Sequence, residues 1–321
     1  MTINNNALQP NFDNPENEWA VILAGGDGTR LRSFTRRIAG DERPKQFCQV
    51  LGRATLLEET QSRAALELAP QRTLYVVNRA HQPYYAPILA GEPASNLVVQ
   101  PSNRGTAPAI LYSLLRIVAV DPQVIVAFFP SDHYISENRR FMAYIRTALD
   151  AVRRRPDSVI LLGLEPEGPE VEYGWIEPAK IIPGETRVLQ VRRFWEKPDR
   201  RLAQVLQLRG CLWNSFVMVA SARAPLEIVE SAIPKLYRSL ARVIPLFGTR
   251  GEPKEIDRIY ARMEEANFSH QVLALRPERF AVVKVTGERW NDLGEPKRVM
   301  ASLDMAGVRP HWAETVVPQF A

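Results

Sequence analysis

The sequence predicts an α/β protein built on a doubly wound, mostly parallel sheet, with a set of antiparallel strands laid over one crevice. Three observations carry that expectation. Apolar runs of strand length alternate with amphipathic helical stretches through the first half of the chain. Two of the runs end abruptly in small or polar residues, Ala24-Gly25-Gly26 and Pro130-Ser131-Asp132, as strands do at the carboxyl edge of a buried sheet. From residue 173 onward the runs are short and edged with polar residues, which suits an antiparallel cover better than more βαβ units.

Residues 1–18, rich in Asn and Pro, read as a flexible tail. Residues 19–23 form the first strand, 54–69 an amphipathic helix and 73–78 the next buried strand, which together make a βαβ unit. Residues 97–100 are a short strand, followed by a Pro- and Gly-containing turn and a helix from 109 to about 120. Residues 124–129 are the most hydrophobic strand, and a helix over 141–153 with a strand over 158–163 completes the alternation. Right-handed crossovers then place ligands at the carboxyl ends of the strands, where both the glycine loop and Asp132 lie. The later strands are expected around 173–178, 191–199 and 212–219, a mainly helical stretch over 225–265, and a last strand over 280–285. No repeat of fixed period is present. One domain over 19–300 and a short C-terminal extension over 301–321 account for the rest.

The chain has 321 residues, 45% of them hydrophobic, which supplies a sizeable core. No apolar run reaches the length of a membrane helix and the start has no signal-peptide pattern, so a cytoplasmic protein without a membrane partner is expected. The two cysteines, Cys48 and Cys211, sit beside apolar residues and are expected to be buried thiols. The net charge of +5 comes from scattered basic pairs and one Arg triplet without an aromatic-basic motif. Such runs are by default solvated faces, not a polynucleotide groove, so no nucleic-acid partner is expected. Small anionic substrates suit the same charge balance equally well.

The stretch from Leu23 to Leu31 changes from apolar to small to cationic. Gly25, Gly26 and Gly28 let backbone N–H groups approach an anion, and Thr29, Arg30 and the more distant Lys45 add donors and positive charge. A P-loop is excluded because no Gly-Lys pair follows, and Leu31 stands where a dinucleotide fingerprint needs Gly or Ala. A nucleoside triphosphate site explains the loop; so does a tight strand-to-helix turn that binds nothing. Asp132 and Asp292 each follow an apolar strand and are candidate Mg²⁺ ligands, with capping or turn roles as the alternative. His133 reads as an orienting neighbour.

The motifs Leu23-Ala24-Gly25-Gly26-Asp27-Gly28-Thr29-Arg30-Leu31, Pro44-Lys45-Gln46-Phe47, Asn103-Arg104-Gly105-Thr106-Ala107-Pro108, Pro130-Ser131-Asp132-His133, Tyr173-Gly174-Trp175-Ile176, Phe194-Trp195-Glu196-Lys197-Pro198, Trp213-Asn214-Ser215 and Trp290-Asn291-Asp292-Leu293-Gly294 occur in that order. With them the chain resembles the sugar-phosphate nucleotidyltransferases, closest to the mannose-1-phosphate guanylyltransferases, over residues 19 to about 300. The resemblance implies a Rossmann-like domain whose antiparallel cover binds a sugar. It also implies attack of a sugar-1-phosphate on the α-phosphorus of a nucleoside triphosphate, giving a nucleotide sugar and pyrophosphate. GTP and mannose-1-phosphate are the implied pair, GDP-mannose the product and Mg²⁺ the cofactor.

By the same resemblance Arg30, Lys45 and Asp132 are catalytic, and Asp132 with Asp292 holds the metal. Leu23, Ala24, Gly25, Gly26, Gly28, Thr29, Gln100, Gly105 and Thr106 bind the nucleotide, and Gly174, Glu196, Lys197 and Asn214 the sugar phosphate. Some relatives append an isomerase domain or a left-handed β-helix, and neither is expected in a chain of this length. A homodimer is the default for a soluble enzyme.

Four departures from the family pattern bear on substrate choice. The interval between Arg30 and Lys45 is longer, around residues 39–43, and could close the Lys45 loop differently. Gln100 stands where a Glu is common, Phe216 replaces the glycine after Trp-Asn-Ser near the expected sugar floor, and residues 268–274 lack the usual Asp and Glu. UTP or dTTP with another hexose-1-phosphate therefore remains open, as does a non-catalytic, nucleotide-sugar-binding regulatory homologue.

Overall fold

A computed structural model describes residues 17–313. Eleven strands are formed among them: β1 (Glu18–Leu23), β2 (Thr73–Asn78), β3 (Leu97–Gln100), β4 (Ile125–Pro130), β5 (Tyr134–Ile135), β6 (Val159–Leu164), β7 (Gly174–Ile181), β8 (Val188–Glu196), β9 (Leu212–Ser221), β10 (Phe280–Val285) and β11 (Trp290–Asn291). The α-helices are α1 (Arg32–Ala39), α2 (Leu56–Ala64), α3 (Gln82–Ile88), α4 (Thr106–Val120), α5 (Asn138–Arg154), α6 (Arg200–Leu208), α7 (Arg223–Ala232), α8 (Pro234–Ala241), α9 (Glu252–Tyr260) and α10 (Pro296–Ala306). The expected tail, apart from Asn17 and Glu18, and the end of the expected extension lie outside the described residues. The first strand begins one residue before its expected start, with buried Glu18 paired to Arg146 and Arg153.

Nine strands form one sheet in the order β3-β2-β1-β4-β9-β6-β10-β8-β7. β3, β2, β1 and β4 are parallel, as are β6 and β10, while β9 runs antiparallel between β4 and β6. The α/β class and the parallel half agree with expectation. β7, β8 and β9 differ from it: they are antiparallel to their neighbours, yet they extend and interrupt the main sheet instead of lying over it as a separate layer. β9 joins the two halves because its ten residues, buried almost throughout, are long enough to pair with β4, β6 and β7.

Both faces of the sheet are covered, and the period-two alternation of β1 divides its residues between them. Val21, Val126 and Phe128 pack with Ile110 and Leu114 of α4 on one face, whereas Ala20, Ile22 and Phe129 pack with Ile145 and Leu149 of α5 on the other. Phe128 is fully buried, and burial of such a side chain contributes about 2–3 kcal/mol. Local signals set the helix ends. Thr55 and Glu58 form a reciprocal capping box that starts α2. Gly105 precedes α4, which therefore begins at Thr106, three residues before the expected position.

Asp132 and Asp292 are 160 positions apart in the sequence, and a separate two-stranded sheet joins their segments. β5 and β11 pair antiparallel, with Asn291 opposite Tyr134 and Trp290 opposite Ile135. Trp290 packs on His133, Tyr173 and Trp213 at ring separations of 5.1, 4.8 and 6.5 Å, so an aromatic cluster supports this junction. Among the described residues no helix is long and apolar enough to cross a membrane. Cys48 and Cys211 are buried free thiols, as expected, and burial pushes them up to about 12 and about 11.

Candidate functional site

The loop after β1 is shaped by its neighbours. Ala24 N–H donates to Val76 O of β2, and Gln46 Nε2 donates to Ala24 O at 3.0 Å and Gly26 O at 2.7 Å. Gly28 has φ 58°, and a Cβ there would stand 3.3 Å from Lys45 N and Pro44 Cα. The left-handed turn thus lets the loop lie directly against the Lys45 segment. The expected alteration of that segment does not keep Lys45 from the cleft. α1 and a turn held by two 2.8 Å Arg43–Asp41 hydrogen bonds fill the longer interval, and Lys45 lies almost fully buried at the junction.

Lys45 Nζ stands 3.2 Å from Asp132 Oδ2 and donates to the backbone oxygens of Asp292 and Leu293. Asp292 Oδ1 accepts from Gly294 N–H at 2.8 Å and Arg298 Nη1 at 2.9 Å, and Oδ2 lies 3.6 Å from Arg30. Burial alone would raise the Asp292 carboxyl's pKa, but Lys45, His133 and Arg298 hold it below the ordinary value. His133 accepts from Trp290 Nε1 at 3.3 Å through Nδ1, and its Nε2 lies 3.5 Å from Asp132 Oδ1. Burial keeps its imidazole below the ordinary value.

A cleft of about 310 Å³ runs from Leu23, Gly25 and Gly26 past Gln100, Gly105 and Thr106 to Asp132. Seven of the expected nucleotide-side and catalytic residues therefore line one space. Ala24 is buried behind them, and Gly28, Thr29 and Arg30 follow in a turn on which Thr29 and Arg30 are exposed. Gly105 has φ 89°, and a Cβ there would fall 2.4 Å from Ala266 O. The turn is stitched to that segment by Ala107 N–H to Ala266 O, Ala266 N–H to Arg104 O and Phe268 N–H to Thr106 Oγ1. Gln100 is buried, and its Oε1 accepts from Tyr260 at 3.1 Å, so its carbonyl is already engaged. Phe216, with φ 60°, lines this same cleft. It shares the cleft with Gln100 and Thr106, while its N–H bonds to Oδ1 of Asn214.

The expected sugar-side residues meet in another corner. Gly174 of β7 pairs with Glu196 of β8, and the neighbouring register pairs Trp175 with Trp213, next to Asn214. Glu196 is half-buried and burial raises its carboxyl above the ordinary value. Asn214 Oδ1 accepts from Phe216 N–H at 3.1 Å, which commits it locally. Lys197, with φ 47°, donates its N–H to Tyr173 O.

Five contributors are not among the site residues expected from the sequence. Gln46 shapes the loop, His81 and Asn103 reach Asp27 at 3.4 and 3.0 Å, Arg298 holds Asp292, and Glu172 contacts both Arg30 and Lys197. Gln46 and Asn103 lie inside motifs already singled out, whereas His81, Arg298 and Glu172 have no local signal, because only the fold places them at the site.

A sequence profile of the nucleotidyl transferases matches residues 19–303. Among curated proteins, the alginate biosynthesis protein AlgA of Pseudomonas aeruginosa is 27% identical over 85% of this chain and 56% of its own length. A mannose-1-phosphate guanylyltransferase 2 of Escherichia coli O157:H7 is 28% identical over 86% of this chain and 58% of its own length. The chain thus spans little more than half the length of the curated relatives it matches. A solved structure described as mannose-1-phosphate geranyltransferase, from Thermus thermophilus, superposes with a TM-score of 0.75 at 28% identity, covering 87% of this chain and 76% of that one.

Proposed function

The chain belongs to the nucleotidyl transferase family, and on that premise we propose that it transfers a nucleotidyl group from a nucleoside triphosphate to a sugar-1-phosphate, releasing pyrophosphate. The observation that carries this reading is the convergence of Lys45, Asp132 and Asp292 at the end of a glycine-lined cleft. GTP and mannose-1-phosphate are the proposed pair, supported by the name of the Escherichia coli relative, a mannose-1-phosphate guanylyltransferase.

In this reading the sugar-phosphate oxygen attacks the α-phosphorus in line and pyrophosphate leaves, with no covalent intermediate on the protein. Such chemistry needs positioning and charge neutralisation above all. The loop backbone from Leu23 to Thr29 and the Arg30 guanidinium would hold the outer phosphates. Lys45, fixed by two carbonyls and Asp132, would neutralise charge at the α-phosphate without reorganising. Gln100, Gly105 and Thr106 would border the base and ribose. Lys197 would grip the sugar phosphate, and Glu196, Asn214 and the Gly174 backbone would meet the sugar hydroxyls.

The donor set suits Mg²⁺. Asp132 and Asp292 offer carboxylate oxygens on either side of Lys45, and Asp292 Oδ2 is left free of the Arg298 and Gly294 hydrogen bonds. Among the described residues no group of three His, Cys, Asp or Glu side chains is placed to hold a metal ion. Two protein oxygens completed by phosphate and water match the coordination that Mg²⁺ prefers. When bound, the ion would neutralise charge on the phosphates during transfer.

The base has a second reading on a specific observation. Because Tyr260 engages the Gln100 carbonyl, the amide presents N–H groups to the cleft, and these suit O4 of uracil or thymine as well as O6 of guanine. A matrix of GTP, UTP, dTTP, ATP and CTP against several hexose-1-phosphates, read by pyrophosphate release, tests both. The highest turnover is expected with GTP and mannose-1-phosphate. Highest turnover with UTP or dTTP transfers the assignment to that base, and no release in any combination removes the enzymatic reading.

A further inference from the structure

Glu172 lies between the two cations that the proposed reaction assigns to different substrates. Its Oε2 stands 3.2 Å from Arg30 Nη1 and 3.3 Å from Lys197 Nζ, so one carboxylate oxygen bridges the triphosphate side and the sugar-phosphate side. Neither cation is buried: Arg30 and Lys197 side chains are 51% and 49% exposed. The bridge therefore spans an open gap where an incoming phosphate would meet the same two groups.

The turn that presents Glu172 is built, not loose. Glu170 Oε1 accepts the N–H groups of Val171 at 2.9 Å and Glu172 at 3.3 Å, and the same oxygen is 2.9 Å from Arg298 Nη2. Arg298 also holds Asp292 and lies over the Tyr173 ring at 4.7 Å. On the other side, Lys197 keeps a left-handed backbone, which is strained for a non-glycine residue, while its N–H bonds to Tyr173 O. Opposing segments are thus fixed so that Lys197 and Glu172 face one another.

We propose that Glu172 is an internal counter-anion: its carboxylate occupies the locus between Arg30 and Lys197 that substrate phosphate takes, and phosphate binding must displace it. The inference rests on the reading of Arg30 and Lys197 as phosphate ligands. It makes Glu172 a positioning residue that keeps the two cations together in the free protein and opposes retention of pyrophosphate after transfer. A carboxylate cannot remain beside a phosphate in that gap without like-charge repulsion.

Calorimetric titration of the whole protein with inorganic pyrophosphate, in chelator and at low salt, tests this without relying on turnover. The Glu172→Gln and Glu172→Ala variants should each bind pyrophosphate about three- to tenfold more tightly than the wild type, a range set by two solvent-exposed ion pairs. The gain should shrink at high salt, and it should be smaller when Arg30→Ala is added. Unchanged or weaker binding in both variants overturns the proposal, as does failure of both to bind measurably. A merely structural role would instead lower the melting temperature and weaken binding. The Arg30→Ala single variant separates the premise from the inference: if it binds pyrophosphate as well as the wild type, the phosphate role of Arg30 falls and the counter-anion with it. If it binds more weakly while the Glu172 variants show no gain, only the counter-anion falls.

Discussion

Lys45 Nζ stands 3.2 Å from Asp132 Oδ2, although the two residues come from a short turn and a strand end 87 positions apart. Lys45 is also held by the backbone oxygens of Asp292 and Leu293. A cation tied down by three partners has little conformational freedom left to lose when a substrate binds. This preorganisation is what charge stabilisation of phosphoryl transfer requires. Lys45→Ala should therefore lower kcat/KM by about 30- to 1,000-fold, or about 2–4 kcal/mol. Steady-state pyrophosphate release measures it. Because removal of Lys45 takes away the cation paired with Asp132 and bonded to the Asp292 and Leu293 backbone oxygens, a lower melting temperature should accompany the loss.

Gly105 cannot carry a side chain without moving the Ala266 segment. Its φ of 89° and the 2.4 Å that would separate an added Cβ from Ala266 O both oppose substitution. Gly105→Ala should destabilise the protein by about 1–3 kcal/mol, read in denaturant unfolding. It should also raise KM for the nucleotide more than it lowers kcat, since the turn borders the proposed base site and not the reacting phosphates.

Asp292 contributes stability whose pH dependence has a definite sign. Its folded pKa lies below the ordinary 3.8 because Lys45, His133 and Arg298 outweigh burial. The contribution is therefore complete above the unfolded value and is lost as pH falls through the lower folded one. Between about pH 5 and pH 3 the melting temperature of the wild type should fall more steeply than that of Asp292→Asn. Equal slopes would show that the carboxylate is not stabilised as its contacts require.

Phe216 adopts φ 60° and meets Phe268 edge-on at 6.4 Å. Phe216→Gly relieves a left-handed strain of about 1 kcal/mol while giving up a half-buried ring, so stability should stay within about 1 kcal/mol of the wild type. The ring lines the cleft proposed for the nucleotide. The variant should therefore alter the ranking of nucleoside triphosphates more than the ranking of sugar phosphates in the substrate matrix.

The parts of this protein that can be read from sequence are those fixed by local pattern. The β2 run Thr73–Asn78 is bounded as expected because its residues are apolar and flanked by turn-forming ones. The glycine loop is legible because a strand end followed by three glycines and Arg30 has few physical uses. The placement of β7, β8 and β9 in the main sheet is not legible, since antiparallel pairing depends on partners far along the chain. Glu172 and Arg298 are hidden for the same reason. A lone Glu before Tyr173 looks like any surface acid until the fold sets it 3.2 Å from Arg30. Phe216 reads from sequence as a neighbour of the sugar, because proximity to Asn214 conceals that its left-handed backbone turns it toward Gln100 and Thr106.

Asp132 contacts Lys45, lines the cleft and is partly exposed to solvent, so its charge can be removed with little disturbance to packing. Asp132→Asn preserves shape and removes only that charge; its fold should be retained and its melting temperature should stay near that of the wild type. Its kcat for pyrophosphate release, with the best substrate pair and Mg²⁺, should fall by about 100-fold or more. Turnover within about twofold of the wild type would contradict the central claim that Lys45, Asp132 and Asp292 form the transfer site.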